Sequence, residues 1–244
     1  RGPYERLPMT SDAPNQTPSS DAVAAPTHVV ILLDRSGSMA SIANDVIGGV
    51  NTLFSEQRAN GSDARISLIQ FDTQDPQEVI AWGAPVAEIA DLDGRTFQPR
   101  GGTPLLDATG LAIGRVMVDQ QSRIATGLQA EEIIFITVTD GEENSSNEYT
   151  LNRVKELIEA RKAEGWTFTY LSAGLDAYAD AAQLGIDVGN TISFVPNSKN
   201  ATLLFSVASR GIGELRDKKR RGVRGAETDF FASGKDTENT DPFN

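Results

Sequence analysis

The feature that most constrains the fold of this chain is a repeated alternation between short apolar runs and amphipathic segments. The first apolar run, His28–Asp34, is continuous and ends in a carboxylate, which is typical of a parallel strand buried on both faces. A polar loop follows, and between Ile42 and Asn60 the apolar residues recur at helical spacing. The pattern therefore predicts a strand, a loop and a helix at the start of the ordered chain.

The same alternation continues along the chain. Further strands are predicted at Arg65–Phe71, Glu78–Trp82 (a strand or hairpin), Ile133–Thr139, Trp166–Ser172 and Thr191–Val195. Further helices are predicted at Leu105–Ile124, Tyr149–Glu164, Asp176–Leu184 and Ala201–Lys219. Such alternation is typical of one doubly wound, mostly parallel sheet with helices on both faces. We find no internal repeat, and we predict a single α/β domain with a Rossmann-like fold over residues 27–221.

The N-terminal end of the chain differs in composition from the predicted domain. Residues 1–26 contain five prolines among small polar residues, a composition that favours a flexible tail. This tail lacks the basic start and apolar centre of a signal peptide. No apolar run in the sequence approaches the roughly 20 residues that span a bilayer. We therefore expect a cytoplasmic protein with no membrane insertion.

The C-terminal end, residues 222–244, is an acidic tail that follows a basic run at Lys218–Arg221. It contains two adjacent aromatic residues, Phe230 and Phe231. The sequence leaves two interpretations of this pair open, packing on the chain's own domain or contact with a partner. The carboxylates of the tail are also candidate ligands for a metal site in another copy of the chain.

Charge and residue usage exclude several classes of function. The chain carries 34 acidic and 22 basic residues, and its formal charge of −12 repels nucleic acid and anionic lipid but attracts cations. It has no cysteine and one histidine, which excludes thiolate zinc sites, iron–sulfur clusters and sites built from several histidines. We therefore expect no nucleic-acid partner, and a metal bound by this chain would have oxygen ligands.

Candidate metal ligands follow the predicted strands, where an open parallel sheet binds its ligands. One carboxylate and two hydroxyls alternate after the first strand, another hydroxyl lies in a glycine-rich loop before a helix, and a second carboxylate follows a later strand. In chain order these residues are Asp34, Ser36, Ser38, Thr103 and Asp140. Hard oxygen donors without sulfur or imidazole suit Mg²⁺ with octahedral coordination.

Three sequence motifs carry a resemblance to a known family. They are Asp-Arg-Ser-Gly-Ser at residues 34–38, Gly-Gly-Thr at 101–103 and Thr-Asp-Gly at 139–141. Their order along the chain resembles the metal-ion-dependent adhesion site (MIDAS) of the von Willebrand factor type A (vWA) domain family, over about Thr27 to Arg221. The version found here is most similar to stand-alone bacterial members of that family.

The resemblance implies a metal site and a binding function. By this likeness Ser36, Ser38 and Thr103 contact Mg²⁺ directly or exchange with water. Asp34 and Asp140 bind the ion directly or through water, and Mn²⁺ is the alternative ion. The implied function is a non-enzymatic, Mg²⁺-dependent module that captures an Asp or Glu side chain of a protein partner. Bacterial relatives are associated with AAA+ ATPases, metal resistance, stress systems or surface adhesion, and the sequence selects none of these.

A metal-dependent phosphohydrolase is the alternative interpretation. Haloacid-dehalogenase-type phosphotransferases also place a nucleophilic Asp after an apolar strand and bind Mg²⁺, and Asp34 would be that nucleophile. In those enzymes a second acid, two residues later, acts as general acid and base. This chain has Ser36 at that place, so the leaving group has no proton donor. We therefore favour a binding module over an enzyme.

Two features around the predicted site are expected to support partner binding. Because the chain is acidic, an acidic partner needs a local positive field, and Arg35, Arg95 and Arg100 are the candidates to supply it. The last helix, predicted at Ala201–Lys219, is expected to move with metal coordination, as it does in family members that have this site. Both expectations depend on where the side chains lie in the folded chain.

Overall fold

The computed structural model describes residues 25–174, 176–194, 198–221, 223 and 228–234. The strands are β1 (Thr27–Asp34), β2 (Ala64–Phe71), β3 (Glu78–Pro85), β4 (Glu132–Thr139), β5 (Thr167–Ser172) and β6 (Thr191–Ser193). The helices are α1 (Ala43–Ala59), α2 (Leu105–Ala125), α3 (Leu151–Ala163), α4 (Ala177–Gln183) and α5 (Ser198–Arg220), with 3₁₀ segments at Gly37–Ile42 and Val188–Asn190. Among the described residues, no helix has the length and apolar character that crossing a membrane requires.

The strands form one sheet in the order β3-β2-β1-β4-β5-β6. Strand β1 pairs in parallel with β2 and β4, and the parallel arrangement continues through β5 and β6. Strand β3 is antiparallel to β2 and forms one edge of the sheet. The doubly wound α/β fold predicted from the sequence is therefore confirmed. The strand order reverses between β1 and β4, so the loops after these two strands flank the position where such sheets bind ligands.

Strand β1 lies at the centre of the sheet, and all of its residues are buried. Val29, Ile31 and Leu33 belong to the apolar core on one face, which includes residues of α1 and α5. Val30 and Leu32 belong to the core on the other face, with residues of α2 and α3. Burial on both faces explains why this strand is an unbroken apolar run. The same packing holds the carboxylate at the end of β1 at the edge of the sheet.

Helices α1 and α5 pack closely because α1 has a glycine at their contact. A Cβ atom on Gly49 would lie 2.1 Å from the ring of Phe205. The adjacent Gly48 is exposed, and a Cβ atom there would meet no atom within 4 Å. The close approach of the two helices therefore requires glycine at position 49 and not at position 48.

Some element boundaries differ from the predicted ones. Helix α3 begins at Leu151, two residues later than predicted, because the Thr150 hydroxyl accepts a hydrogen bond from the Arg153 N–H at 3.3 Å and caps the helix. Helix α5 begins at Ser198, three residues earlier than predicted. The predicted last residue of β6, Val195, lies outside the described residues.

Residues 228–234 pack against the chain's own domain. Phe230 and Phe231 are buried, and their rings meet edge to face with centroids 4.8 Å apart. The Phe231 N–H donates to the Gly189 carbonyl at 3.0 Å, and the Phe230 N–H donates to Asn190 Oδ1 at 2.8 Å. The sequence left two interpretations of this pair open, and the structure shows the first, packing on the chain's own domain. Most of the N-terminal tail and most of the rest of the C-terminal tail lie outside the described residues.

Candidate metal centre

Loops after β1 and β4 bring four of the predicted donors together. Asp34 is the last residue of β1, Ser36 and Ser38 follow it, and Asp140 comes directly after β4. The Ser36 and Ser38 hydroxyl oxygens lie 3.0 Å apart, and the Ser38 hydroxyl donates to Asp140 Oδ1 at 2.8 Å. These side chains therefore share one small site at the point where the strand order reverses.

Thr103 borders the same site from a third loop, the one before α2. A Cβ atom on Gly141 would lie 3.6 Å from the Thr103 hydroxyl oxygen and 3.9 Å from that of Ser38. The Thr103 N–H donates to Asn144 Oδ1 at 2.9 Å, and the Asn144 N–H donates to the Thr103 carbonyl at 3.2 Å. These two hydrogen bonds fix the backbone of Thr103, and the lack of a side chain at Gly141 leaves space beside both hydroxyls.

Asp34 is fully buried, and hydrogen bonds orient both of its carboxylate oxygens. Oδ1 accepts from the Ser36 N–H at 2.6 Å, and Oδ2 accepts from the Thr139 hydroxyl at 2.6 Å. The second contact links the end of β1 to the end of β4. Because a carboxylate oxygen has two lone pairs, each oxygen keeps the capacity to accept from a water molecule or to bind a cation.

Among the described residues, no positive side chain compensates the two carboxylates of the site. Burial raises the pKa of Asp34 to about 6, and the negative charge of Asp140 acts in the same direction. Burial also raises the pKa of Asp140. Within the described part of the chain, neither carboxylate forms an ion pair with Lys or Arg. A bound cation would favour the charged forms of both residues.

The donor set fits a small, hard divalent cation. The side-chain donors are two carboxylates and three hydroxyls, the oxygen ligands that Mg²⁺ and Mn²⁺ prefer. Adjacent ligands of an octahedral Mg²⁺ ion lie about 3.0 Å apart, since metal–oxygen distances are about 2.1 Å. The oxygens of Ser36, Ser38 and Asp140 are separated in turn by 3.0 and 2.8 Å. This spacing suits octahedral coordination with little movement of the side chains.

A buried ion-pair network lies next to the metal-site loops. Asp72 follows β2, and its Oδ2 accepts from Nε of Arg35 at 2.8 Å and from Nε of Arg100 at 2.9 Å. Its Oδ1 accepts from the backbone N–H groups of Gln74 and Asp75. Burial alone would raise the pKa of Asp72, but these hydrogen bonds and the two guanidinium groups hold it below its usual value. Asp72 is therefore a charged acceptor that orients both arginines.

The same two arginines connect the loop after β1 to the glycine-rich loop before α2. The Arg100 N–H donates to the Arg35 carbonyl at 2.8 Å, and the Gly37 N–H donates to the Gly101 carbonyl at 3.0 Å. Gly101 has a φ of +67°, a conformation that favours glycine. Asp72 therefore positions both loops through the side chains that it holds.

Sequence interpretation did not assign roles to three residues that position the donors: Asp72, Thr139 and Asn144. The sequence could have indicated Asp72 and Thr139 as neighbours of the site, because both lie at the carboxyl ends of strands that flank β1. The contact of Asn144 with Thr103 depends on the conformation of a loop, and no local pattern in the sequence indicates it.

Arg35 does not line the rim of the site, and the expectation that it supplies a positive field there is wrong. Its side chain is 4% exposed and pairs with Asp72 and Glu78. A buried guanidinium requires counter-charges because desolvation of a lone ion is costly. Arg100 is also paired with Asp72, and Arg95 pairs with the carboxylate two residues before it. The arginines therefore stabilise the loops, and nearby carboxylates already compensate their positive charges.

A second group of metal-ligating side chains lies at the other end of β1 and β4. Ligand atoms of His28, Asp119 and Glu131 lie within 4.8 Å of one another. Arg65 pairs with both carboxylates, and Arg123 Nε lies 3.3 Å from Glu131 Oε2. Burial, followed by the charge of Arg65, lowers the pKa of His28 to about 4. These carboxylates are already neutralised by guanidinium groups, unlike those of the Asp34 site, so the cluster is an internal ion-pair network.

A comparison against protein families agrees with the fold. The family model of the von Willebrand factor type A domain matches residues 28–206. The chain belongs to this family. The vWA family consists largely of metal-dependent protein-interaction modules, and most of its members are not enzymes. A search of curated protein sequences finds no match to this vWA chain.

Solved structures with the vWA fold resemble this one at low sequence identity. Manganese-loaded TRAP protein of Plasmodium vivax has a TM-score of 0.50 and 16% identity, over 75% of this chain and 73% of that one. The pilus adhesin SpaC of Lactobacillus rhamnosus GG, in its open conformation, has a TM-score of 0.57 and 14% identity, over 78% of this chain and 30% of that one. A vWA protein of Catenulispora acidiphila has a TM-score of 0.51 and 12% identity, over 80% of this chain and 43% of that one. This chain thus spans less than half the length of the latter two proteins.

Proposed function

We propose that this protein is a non-enzymatic binding module with an intact MIDAS, where a bound Mg²⁺ ion captures an Asp or Glu carboxylate of a protein partner. The observation that carries the proposal is the cluster of hard oxygen donors whose two carboxylates have no compensating positive side chain among the described residues. The residues proposed to hold the ion are Asp34, Ser36, Ser38, Thr103 and Asp140. Mn²⁺ is the alternative ion, as the chemistry of the donors accepts both.

The charges of the donors support binding of an anionic ligand. Two carboxylates balance the charge of a divalent ion, while hydroxyls are neutral, so the bound ion supplies an electrophilic position for an outside carboxylate. Ser38 is exposed and Asp140 is partly exposed, which makes this part of the site accessible to a partner. Asp34 is buried and held by Ser36 and Thr139, so it provides a fixed negative charge behind the accessible donors.

The environment of Asp34 argues against the phosphohydrolase alternative. A nucleophilic carboxylate must present an oxygen to the substrate, and Asp34 is 0% exposed, with both of its oxygens held by hydrogen bonds. Ser36, at the place of the second acid, contributes a hydroxyl next to Ser38 and no general acid. We therefore propose a binding function and no catalytic residue.

The resemblance supplies the wider context of the proposal. We propose a stand-alone bacterial vWA protein that acts in the cytoplasm, with an AAA+ ATPase that presents an acidic side chain as the candidate partner. The formal charge of −12 disfavours the approach of an acidic partner at long range. Attraction would therefore come from the ion, and we expect partner binding to depend strongly on the metal.

A test of carboxylate capture uses Mn²⁺ as a paramagnetic substitute for Mg²⁺. Titration of the Mn²⁺-loaded protein with N-acetylaspartate methylamide is expected to reduce the water-proton relaxation enhancement, because the carboxylate displaces exchanging water from the ion. The matched amide, N-acetylasparagine methylamide, is expected to leave the enhancement unchanged. Equal effects of the two compounds would contradict carboxylate capture. If the wild type hydrolysed p-nitrophenyl phosphate and the variant Asp34→Asn did not, the result would instead support the phosphohydrolase alternative.

A further inference from the structure

A small cavity lies beside the candidate metal centre and is not used by it. Its volume is about 60 Å³, and it lies between the start of α2, the loop after β4, strand β5 and helix α4. Its apolar lining consists of Leu105, Leu106, Leu151 and Leu184. Polar side chains reach the same cavity from three of these elements, and they are Glu143, Tyr170, Asp180 and the exposed Gln183.

Tyr170 contributes a buried hydroxyl that has no well-formed hydrogen bond among the described residues. The residue lies on β5, is 0% exposed and lines the cavity. Its hydroxyl forms no hydrogen bond of good geometry with the described parts of the chain, and the Ser172 hydroxyl is the nearby group that interacts with it most weakly. Burial raises its pKa, and the negative charges of Asp180 and Asp34 act in the same direction, against a smaller opposite effect of the Ser172 hydroxyl. Since buried tyrosine hydroxyls usually have a partner, this one indicates a missing donor or acceptor in the cavity.

Asp180 contributes a carboxylate that is also unpaired. It lies in the first turn of α4, and no described residue forms a hydrogen bond or an ion pair with its side chain. Burial raises its pKa, as do the nearby negative charges of Glu142 and Asp176. Glu143 also lines the cavity, but its two oxygens already accept four hydrogen bonds, so it adds a fixed negative charge. The described residues that line the cavity therefore include two carboxylates and no Lys or Arg.

The size and chemistry of the cavity select one kind of ligand. A volume of about 60 Å³ holds a few water-sized groups, since one such group needs about 10–15 Å³. A primary ammonium is compact, donates three hydrogen bonds and carries an aliphatic stem that apolar side chains can cover. A guanidinium is a larger, planar group that needs acceptors along its edge. Tyr170 and Asp180 offer acceptors, and the leucine side chains offer the apolar walls.

We propose that this cavity binds the ammonium group of a lysine side chain from the partner protein, next to the site proposed for the partner's carboxylate. The Asp180 carboxylate and the Tyr170 hydroxyl accept its hydrogen bonds, and Leu105 and Leu184 contact its methylene groups. That the lysine belongs to a partner protein rests on the proposed function. Binding of an ammonium group in this cavity does not depend on the proposed function. The partner class is then a protein that presents an acidic and a basic side chain close together.

The test uses n-butylammonium as the probe, with the whole chain in EDTA so that no divalent metal takes part. Leucine methyl resonances assigned to the cavity are followed by NMR. We expect saturable shifts in the wild type and at least fivefold weaker binding in Asp180→Asn. The matched control Glu156→Gln removes an exposed charge on α3 and is expected to bind as the wild type does. Because metal is absent, failure of Mg²⁺ binding does not affect this result.

The proposal would be overturned by a lack of saturable shifts, by equal affinity in Asp180→Asn and the wild type, or by tighter binding of n-butylguanidinium than of n-butylammonium. Neutral n-butanol is expected to bind more weakly than the ammonium, because the negative surroundings favour a cation, and equal binding of the two would also overturn it. The variant Tyr170→Phe is a second check. It removes the unpaired hydroxyl and keeps the ring, so it is expected to weaken binding while the protein stays folded.

Discussion

At the scale of single residues, one buried carboxylate connects the loops of the candidate metal centre. Asp72 accepts hydrogen bonds from Arg35 and Arg100, and the backbones of these two arginines join the loop after β1 to the loop before α2. The donors of the proposed metal site thus depend on a residue whose side chain forms hydrogen bonds with none of them. Asp72 is a positioning residue, and its loss is expected to affect both folding and metal affinity.

We expect Asp72→Asn to lower the free energy of unfolding by about 3 kcal/mol, because Arg35 keeps a buried charge that has lost a counter-charge. Mg²⁺ affinity is expected to fall roughly tenfold, as is common when a group behind the metal ligands is changed. Urea denaturation and calorimetry measure the two effects. The control Asp91→Asn removes an exposed ion pair with Arg58 and is expected to cost less than about 1 kcal/mol. Wild-type Mg²⁺ affinity in Asp72→Asn would show that the loops do not depend on this carboxylate.

His28 predicts a pH dependence of stability. Its pKa is lowered from 6.5 to about 4 in the folded protein, chiefly by burial and next by Arg65, while Glu131 and Asp119 oppose the shift. His28 is therefore protonated below about pH 6.5 in the unfolded chain but only below about pH 4 in the folded chain. Because the unfolded chain binds the additional proton between these values, the free energy of unfolding falls as the pH decreases from about 6.5 to about 4. The loss is about 3 kcal/mol at most.

The variant His28→Gln lacks the titrating group, so it isolates this contribution from those of other residues. Urea denaturation at several pH values between 7.5 and 4.5 is expected to give a stability difference between wild type and variant that shrinks as the pH decreases. A difference that stays constant over this range would contradict the assignment.

At the scale of elements, the contact between α1 and α5 depends on one small residue. Gly48→Ala and Gly49→Ala are a matched pair on α1, with the same chemical change one position apart. At position 49 the added Cβ would meet Phe205 at 2.1 Å, so we expect a loss of about 1–3 kcal/mol. At position 48 it would meet no atom within 4 Å, so we expect a gain of about 0.5–1 kcal/mol from helix propensity. Thermal or urea denaturation distinguishes the two, and equal effects would contradict the packing described.

The packed C-terminal segment, residues 228–234, contacts more than one element of the fold. Phe230 packs against α5, since a Cβ atom on Gly211 would lie 2.5 Å from its ring. The backbone of Phe231 is hydrogen-bonded to the 3₁₀ segment before β6. Residues 228–234 therefore connect α5 to the sheet edge. Movement of the last helix, which the resemblance implies, would require this segment to move with it or to detach.

At the scale of the whole molecule, the fold was predictable because its signals are local. Strand β1 is an unbroken apolar run and the helices follow in regular alternation, so the doubly wound sheet could be inferred without tertiary information. The candidate donors were also predictable as a group, because they follow strands whose carboxyl ends meet. Their role as metal ligands stays a prediction.

Other features depend on tertiary contacts that no local pattern encodes. The antiparallel pairing of β3 depends on the path of the chain after β2. The burial of Arg35 depends on Asp72 and Glu78, which are distant in the sequence, and its position beside the serine motif suggested an exposed side chain instead. The unpaired hydroxyl of Tyr170 becomes evident only when its surroundings are known, because the strand pattern around it indicates simple core packing.

Binding of Mg²⁺ to the donor cluster is the central claim, and isothermal titration calorimetry tests it most directly. MgCl₂ is titrated into the wild type, Asp140→Asn and the control Glu156→Gln, which removes one negative charge from an exposed position on α3. We predict one ion per chain in the wild type and in Glu156→Gln, with binding lost or reduced at least about a hundredfold in Asp140→Asn because one of two carboxylate ligands is gone. Undiminished Mg²⁺ binding in Asp140→Asn, or no Mg²⁺ binding in the wild type, would contradict the proposed metal site.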